Sequence, residues 1–84
     1  MADVIMYSTA YCPFCTKARD LLDKKGVTYT DIRVDEEPVK RDEMIAKSGR
    51  RTVPQIFING QHIGGCDDMY ALESQGHLDK LLRG

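Results

Sequence analysis

The segment Gln55-Ile56-Phe57-Ile58, Asn59-Gly60, Gln61-His62-Ile63 constrains the fold of this chain more than any other. Asn-Gly adopts positive φ at both positions at little cost, and a two-residue hairpin turn needs that geometry to match the twist of its flanking strands. The segment therefore specifies an antiparallel pair. An isolated hairpin is at best marginally stable in water, so the rest of the chain must supply further strands and a covering layer.

The remaining sequence reads as those parts. Val4-Ile5-Met6-Tyr7 is a short apolar run opening at Ser8-Thr9, the profile of a buried strand. Residues 13–25 carry helical periodicity, with Cys15, Ala18, Leu21 and Leu22 on one face and Gly26 as the stop. Residues 27–34 are expected to form a second strand, parallel to the first because a helix serves as the crossover. Glu36-Glu37-Pro38 suits a helix start, and 39–48 turns Met44 and Ile45 inward before Gly49. After the hairpin, Gly64-Gly65 interrupts and Cys66-Asp67-Asp68 begins a helix running to Ser74, with Met69 and Leu72 facing the core; a final short helix carries Leu78, Leu81 and Leu82. The order β-α-β-α-β-β-α predicts an α/β fold with a four-stranded mixed sheet flanked by helices.

At 84 residues this is a single domain spanning 1–84. Twelve basic and thirteen acidic side chains give a formal charge of -1, which offers no global attraction to nucleic acid or anionic membrane. No window approaches the roughly 20 apolar residues that span a bilayer. Met1-Ala2-Asp3 does not begin a signal peptide, and Leu82-Arg83-Gly84 carries no lipidation motif. A cytoplasmic protein is expected.

The three cysteines are a close pair, Cys12 and Cys15, and a distant Cys66. In a reducing compartment a C-x-x-C pair is redox-active or metal-binding rather than a permanent staple. The pair falls where a strand ends and a helix begins, so the first sulfur meets free N–H groups and the positive end of the helix dipole, which favour its thiolate. Cys15, one turn inside on the apolar face, is shielded and less acidic. Cys12 therefore reads as the attacking thiol and Cys15 as the resolving one, and the i, i+3 spacing lets them close a disulfide. The alternative is half of a zinc site. That needs two more ligands, and only Cys66, His62 and His77 are available, without a second close pair.

Several segments together resemble a dithiol glutaredoxin, most like the bacterial glutaredoxin 3 type: Tyr7-Ser8 before Cys12-Pro13-Phe14-Cys15, then Thr52-Val53-Pro54, then Gly64-Gly65-Cys66-Asp67-Asp68. The resemblance runs from about Val4 to Leu82. It implies the thioredoxin fold, glutathione as the reducing cosubstrate, and glutathionylated or disulfide-containing proteins as partners. It further implies a cis Pro54 and a Val53 backbone paired with the cysteinyl part of glutathione, as a strand pairs with a sheet edge. Gly65, Cys66 and Asp67 would receive the γ-glutamyl end, the helix start holding its carboxylate and Asp67 its amine. Arg41 and Arg51 would meet the glycine carboxylate, with Arg50 as a further candidate.

Read without the resemblance, Asp67 and Asp68 are equally good helix caps, each arginine is a solvated charge, and Cys66 is a small packing residue. Tyr11 and Tyr70 read as packing or surface residues, as do the histidines, with Tyr11 a candidate to line the site. The chain departs from many relatives at Thr9, where they carry lysine, and at Phe14, where they carry tyrosine. Neither metal nor oligomer is expected: thiol exchange needs no ion, and Pro13 argues against the cluster-bridged dimers of related redoxins. The sequence thus predicts a monomeric, glutathione-dependent thiol–disulfide oxidoreductase, distinguished from one served by thioredoxin reductase by its reductant.

Overall fold

A computed structural model describes residues 3–83; the readings made at Met1, Ala2 and Gly84 lie outside the described residues. The elements follow the order β1 (Val4–Ser8), α1 (Pro13–Lys24), β2 (Thr30–Arg33), α2 (Pro38–Ser48), β3 (Gln55–Ile58), β4 (Gln61–Gly64), α3 (Cys66–Ser74) and α4 (Leu78–Arg83). The four strands form one sheet in the order β2-β1-β3-β4. β1 and β2 are parallel, joined through α1, and the other two pairs are antiparallel.

The two central strands, β1 and β3, are apolar apart from Ser8 and Gln55 at their ends because both of their faces are covered. On one side Val4 and Met6 of β1 and Ile56 and Ile58 of β3 pack against Ala18, Leu21 and Leu22 of α1, Met69 of α3, and Leu78 and Leu82 of α4. On the other, Tyr7, Phe57 and Val34 pack against Met44 of α2, with Ile32 and Ile45 at the margin. The alternation of side chains along each strand thus sends successive residues into two different cores. Tyr7 also donates a hydrogen bond to Glu43 Oε2 (2.8 Å), tying β1 to α2. Burial, with that carboxylate beside it, pushes the Tyr7 phenol up to about 12.

Asn59 (φ 53°) and Gly60 (φ 80°) turn the hairpin as their sequence requires. Between the Phe57↔His62 and Ile56↔Gly64 pairs, Ile63 has no partner in register, so β4 carries a bulge just before the glycines. One strand is shorter than expected: pairing with β1 is confined to Thr30–Arg33, not 27–34. β1 begins at Val4, which the register sets opposite Tyr29, so it offers no partner to Val27 and Thr28. Val27 and Tyr29 instead pack against the first core as part of the connection.

Candidate active site

β1 ends at Ser8, a buried residue whose hydroxyl bonds to Asp31 and accepts from Arg19 (2.9 Å). Arg19 also pairs with Asp31 at 2.8 Å. This cluster pins the strand end from which the loop 9–11 departs, and Asp35 accepts from Ala10 N–H on the loop itself (3.3 Å). The chain then enters α1 with Cys12 as N-cap. Its extended backbone (φ -126°, ψ 104°) turns the side chain back over the helix, where Sγ accepts a hydrogen bond from Cys15 N–H at 3.1 Å. Pro13 occupies the first helical turn, where an N–H has no partner to lose.

The two sulfurs are in different surroundings, as their spacing predicted. All three cysteines are free thiols; Cys12 is partly exposed and Cys15 is 0% exposed. Burial, reinforced by the neighbouring Cys12, pushes the Cys15 thiol up to about 12, against smaller opposing effects of the Thr9 backbone and the Arg19 charge. Cys12 is the accessible member, and its thiol also points at Val53 C=O (3.8 Å). The Val53–Pro54 peptide bond is cis.

Beside Cys12 lies an open cleft of about 200 Å³. Its walls are Thr52, Val53 and Pro54 together with Gly65, Cys66 and Asp67 at the start of α3, and Phe14 adds an aromatic ring to the lining. Phe14 is half exposed, whereas Tyr11 is 99% exposed and lies outside the cleft lining. Cys66 is buried, and that burial raises its thiol above the ordinary range. The glycines bring the walls together. A Cβ on Gly65 would stand 3.3 Å from Pro54 O, and one on Gly64 (φ +118°) would overlap the Asp68 carboxylate.

The structure separates the two aspartates that the sequence left equivalent. Asp68 accepts from Gly65 N–H (3.0 Å) and pairs with Arg50 (3.0 Å), so it is the helix cap, and those donors hold its carboxyl below the usual range. Asp67 is exposed and takes no part in that cap. Among the arginines, Arg50 lines the cleft, while Arg41 donates to Arg51 C=O (3.3 Å) and the pair stands outside its lining. The sequence gives Gln55 no role beyond its strand and reads His62 as a packing or surface residue. Gln55 lines the cleft and is 1% exposed, and His62 bonds to it at 2.7 Å. The available signal was a glutamine opening an otherwise apolar strand. Among the described residues, no three His, Cys, Asp or Glu side chains are grouped to hold a metal ion.

The glutaredoxin family model matches residues 4–63. Over 83 residues the chain is 54% identical to glutaredoxin 3 of Escherichia coli (strain K12), covering 99% of this chain and 100% of that protein. Among solved structures, the buckwheat glutaredoxin–glutathione complex superposes with a TM-score of 0.91 at 33% identity, covering 98% of this chain and 77% of that one. The solution structure of glutaredoxin from Brucella melitensis gives 0.86 at 51% identity, with 98% and 89% covered.

Proposed function

The chain belongs to the glutaredoxin family and is a glutathione-dependent thiol–disulfide oxidoreductase, and on that premise we propose that Cys12 is its attacking thiol, Cys15 its resolving thiol, and the cleft beside them its glutathione site. In the monothiol route the Cys12 thiolate attacks the glutathione sulfur of a glutathionylated protein. The Cys12–glutathione disulfide forms as the protein thiolate leaves. A second glutathione thiolate then attacks the bound glutathione sulfur, releasing glutathione disulfide and returning Cys12. In the dithiol route Cys12 forms a mixed disulfide with the substrate protein, and Cys15 attacks Cys12 Sγ to close the internal disulfide and expel the second substrate thiolate. Two glutathione thiols afterwards reduce the pair.

The observation that carries this reading is the asymmetry at the start of α1, an accessible Cys12 capped by Cys15 N–H beside a Cys15 that solvent cannot reach. Thr52, Val53 and Pro54 would present backbone groups to the cysteinyl residue of glutathione. Gly65, Cys66 and the N-terminal turn of α3 would hold the γ-glutamyl carboxylate, leaving Asp67 for the amine. Arg41 and Arg51, linked to each other at the end of the Thr52–Pro54 wall, would meet the glycine carboxylate with Arg50 nearer the cleft. Sulfur exchange supplies all the chemistry, so we assign no metal. We place the protein in the cytoplasm as a monomer that binds neither nucleic acid nor membrane. Three free thiols suit a reducing compartment, and the charge is close to neutral. Among the described residues, no helix is long and apolar enough to cross a membrane.

The test is turnover of a glutathionylated peptide and of a protein disulfide, with glutathione or thioredoxin reductase as donor. Cys12→Ser should abolish both activities, and Cys15→Ser should keep only the first. Full activity of Cys12→Ser, or reduction by thioredoxin reductase in preference to glutathione, refutes the reading.

A further inference from the structure

Gln55 and His62 make a polar pair behind the cleft that thiol exchange does not use. Gln55 follows Pro54 directly, and its side-chain Nε2 donates to Thr52 C=O (2.9 Å) and to Thr52 Oγ1 (3.2 Å). Its Oε1 lies 2.7 Å from His62 Nε2. A carbonyl can only accept, so the amide nitrogen must face Thr52 and the amide oxygen must face the ring. The ring nitrogen at that contact therefore carries a hydrogen, and His62 Nε2–H donates to Gln55 Oε1. His62 is the cross-strand partner of Phe57, with ring centroids 5.0 Å apart, which fixes the imidazole plane. Burial, followed by the Arg50 charge and against the opposing pull of Asp68, holds His62 below the usual histidine range. The neutral Nε2–H form is the one that fits.

We propose that His62 and Gln55 are positioning residues for glutathione: their hydrogen bonds fasten the Thr52–Val53 backbone to the hairpin in the orientation that receives the ligand. This role rests on the placement of glutathione along that segment. The physical reason is preorganisation. Without the histidine donor, Gln55 Oε1 is left buried and unpaired, the amide is no longer held in one orientation, and Thr52 loses a fixed donor. The segment must then be ordered by the ligand when it binds, which weakens affinity without touching the sulfur chemistry.

Nitrogen-15 spectra of the wild-type protein at pH 7 should show the Nε2–H tautomer of His62, and an Nδ1–H tautomer overturns the proposal. His62→Phe keeps the ring against Phe57 and removes the donor. It should raise KM for a glutathionylated peptide about 10-fold, the equivalent of about 1.4 kcal/mol. Its kcat should stay within about 2-fold of wild type, the pattern of lost uniform binding. His62→Gln, whose amide nitrogen reaches toward the Nε2 position, should restore KM. An unchanged KM in His62→Phe, or an elevated KM in His62→Gln, overturns the role, and the second result stands even if His62→Phe does not fold. Glutathione titrated into the wild type should shift the Thr52 and Val53 amides. No shift overturns the placement of glutathione and this role with it, whereas shifts in the wild type beside an unchanged KM in His62→Phe overturn this role alone.

Discussion

Replacing Gly64 with alanine tests how the wall of the cleft is built. The residue sits at φ +118°, and an added Cβ would lie 2.2 Å from Asp68 Oδ2, 2.7 Å from its Cγ and 2.8 Å from its Cβ. Two effects add. Holding a non-glycine residue in this region costs about 1–3 kcal/mol. Asp68 must also swing away, giving up its bond to Gly65 N–H and its pair with Arg50. The lost cap accounts for about 1 kcal/mol, and the exposed ion pair adds little. The sum is about 2–4 kcal/mol, a large share of the roughly 4–12 kcal/mol expected for a chain of this length. Thermal unfolding followed by circular dichroism should show Tm lower by about 10–30 °C. Asp68→Ala removes the two nearest clashing atoms, so Gly64→Ala should be less damaging in that background, with a coupling above about 0.5 kcal/mol. A loss below about 1 kcal/mol, or strict additivity with Asp68→Ala, would refute the reasoning.

Three further outcomes follow from the site. Asp67→Asn should raise KM for glutathione about 10-fold, the scale of one charge-assisted hydrogen bond, and leave Tm unchanged; Asp68→Ala should instead lower stability by about 1 kcal/mol, and reversed effects would show the two acids misassigned. Because burial raises the Cys15 thiol to about 12, closure of the internal disulfide, followed by stopped flow, should accelerate steadily from pH 6 to pH 9, and a plateau near pH 7 would contradict that burial. Arg33, ahead of a smaller contribution from Ala10 N–H, holds the Asp35 carboxyl down at about 2, below its ordinary value of 3.8. A depressed carboxyl stabilises the fold above the unfolded value and loses that contribution as pH falls, here between about 4 and 2; Arg33→Ala should remove this acid-limb dependence and return Asp35 toward the ordinary range by NMR titration.

Much of the architecture was legible because its signals are local. Asn59-Gly60 forms the turn its dihedral preferences demand, Gly26 follows α1 as its stop, and the C-x-x-C pair falls at the start of that helix with Cys12 outward and Cys15 inward. The β2 boundary is set non-locally: its ladder with β1 begins only at the Ile5↔Thr30 pair. Tyr11, a candidate lining residue of the site from the sequence, is turned to solvent and lies outside the cleft lining.

From the sequence alone came the periodicities of strand and helix, the hairpin, and the unequal burial of the two close thiols, because each depends on residues within one or two turns of one another. Tertiary structure alone decided which of two adjacent aspartates caps α3, which arginine reaches the cleft, and that Gln55 and His62 stand behind it. Those outcomes rest on contacts such as Asp68 with Arg50, where a hydrogen bond is settled by which donor the folded chain brings within 3.0 Å. The sulfur proposed to attack is read from the order of residues, and the cleft proposed to receive its substrate exists only once three distant segments meet.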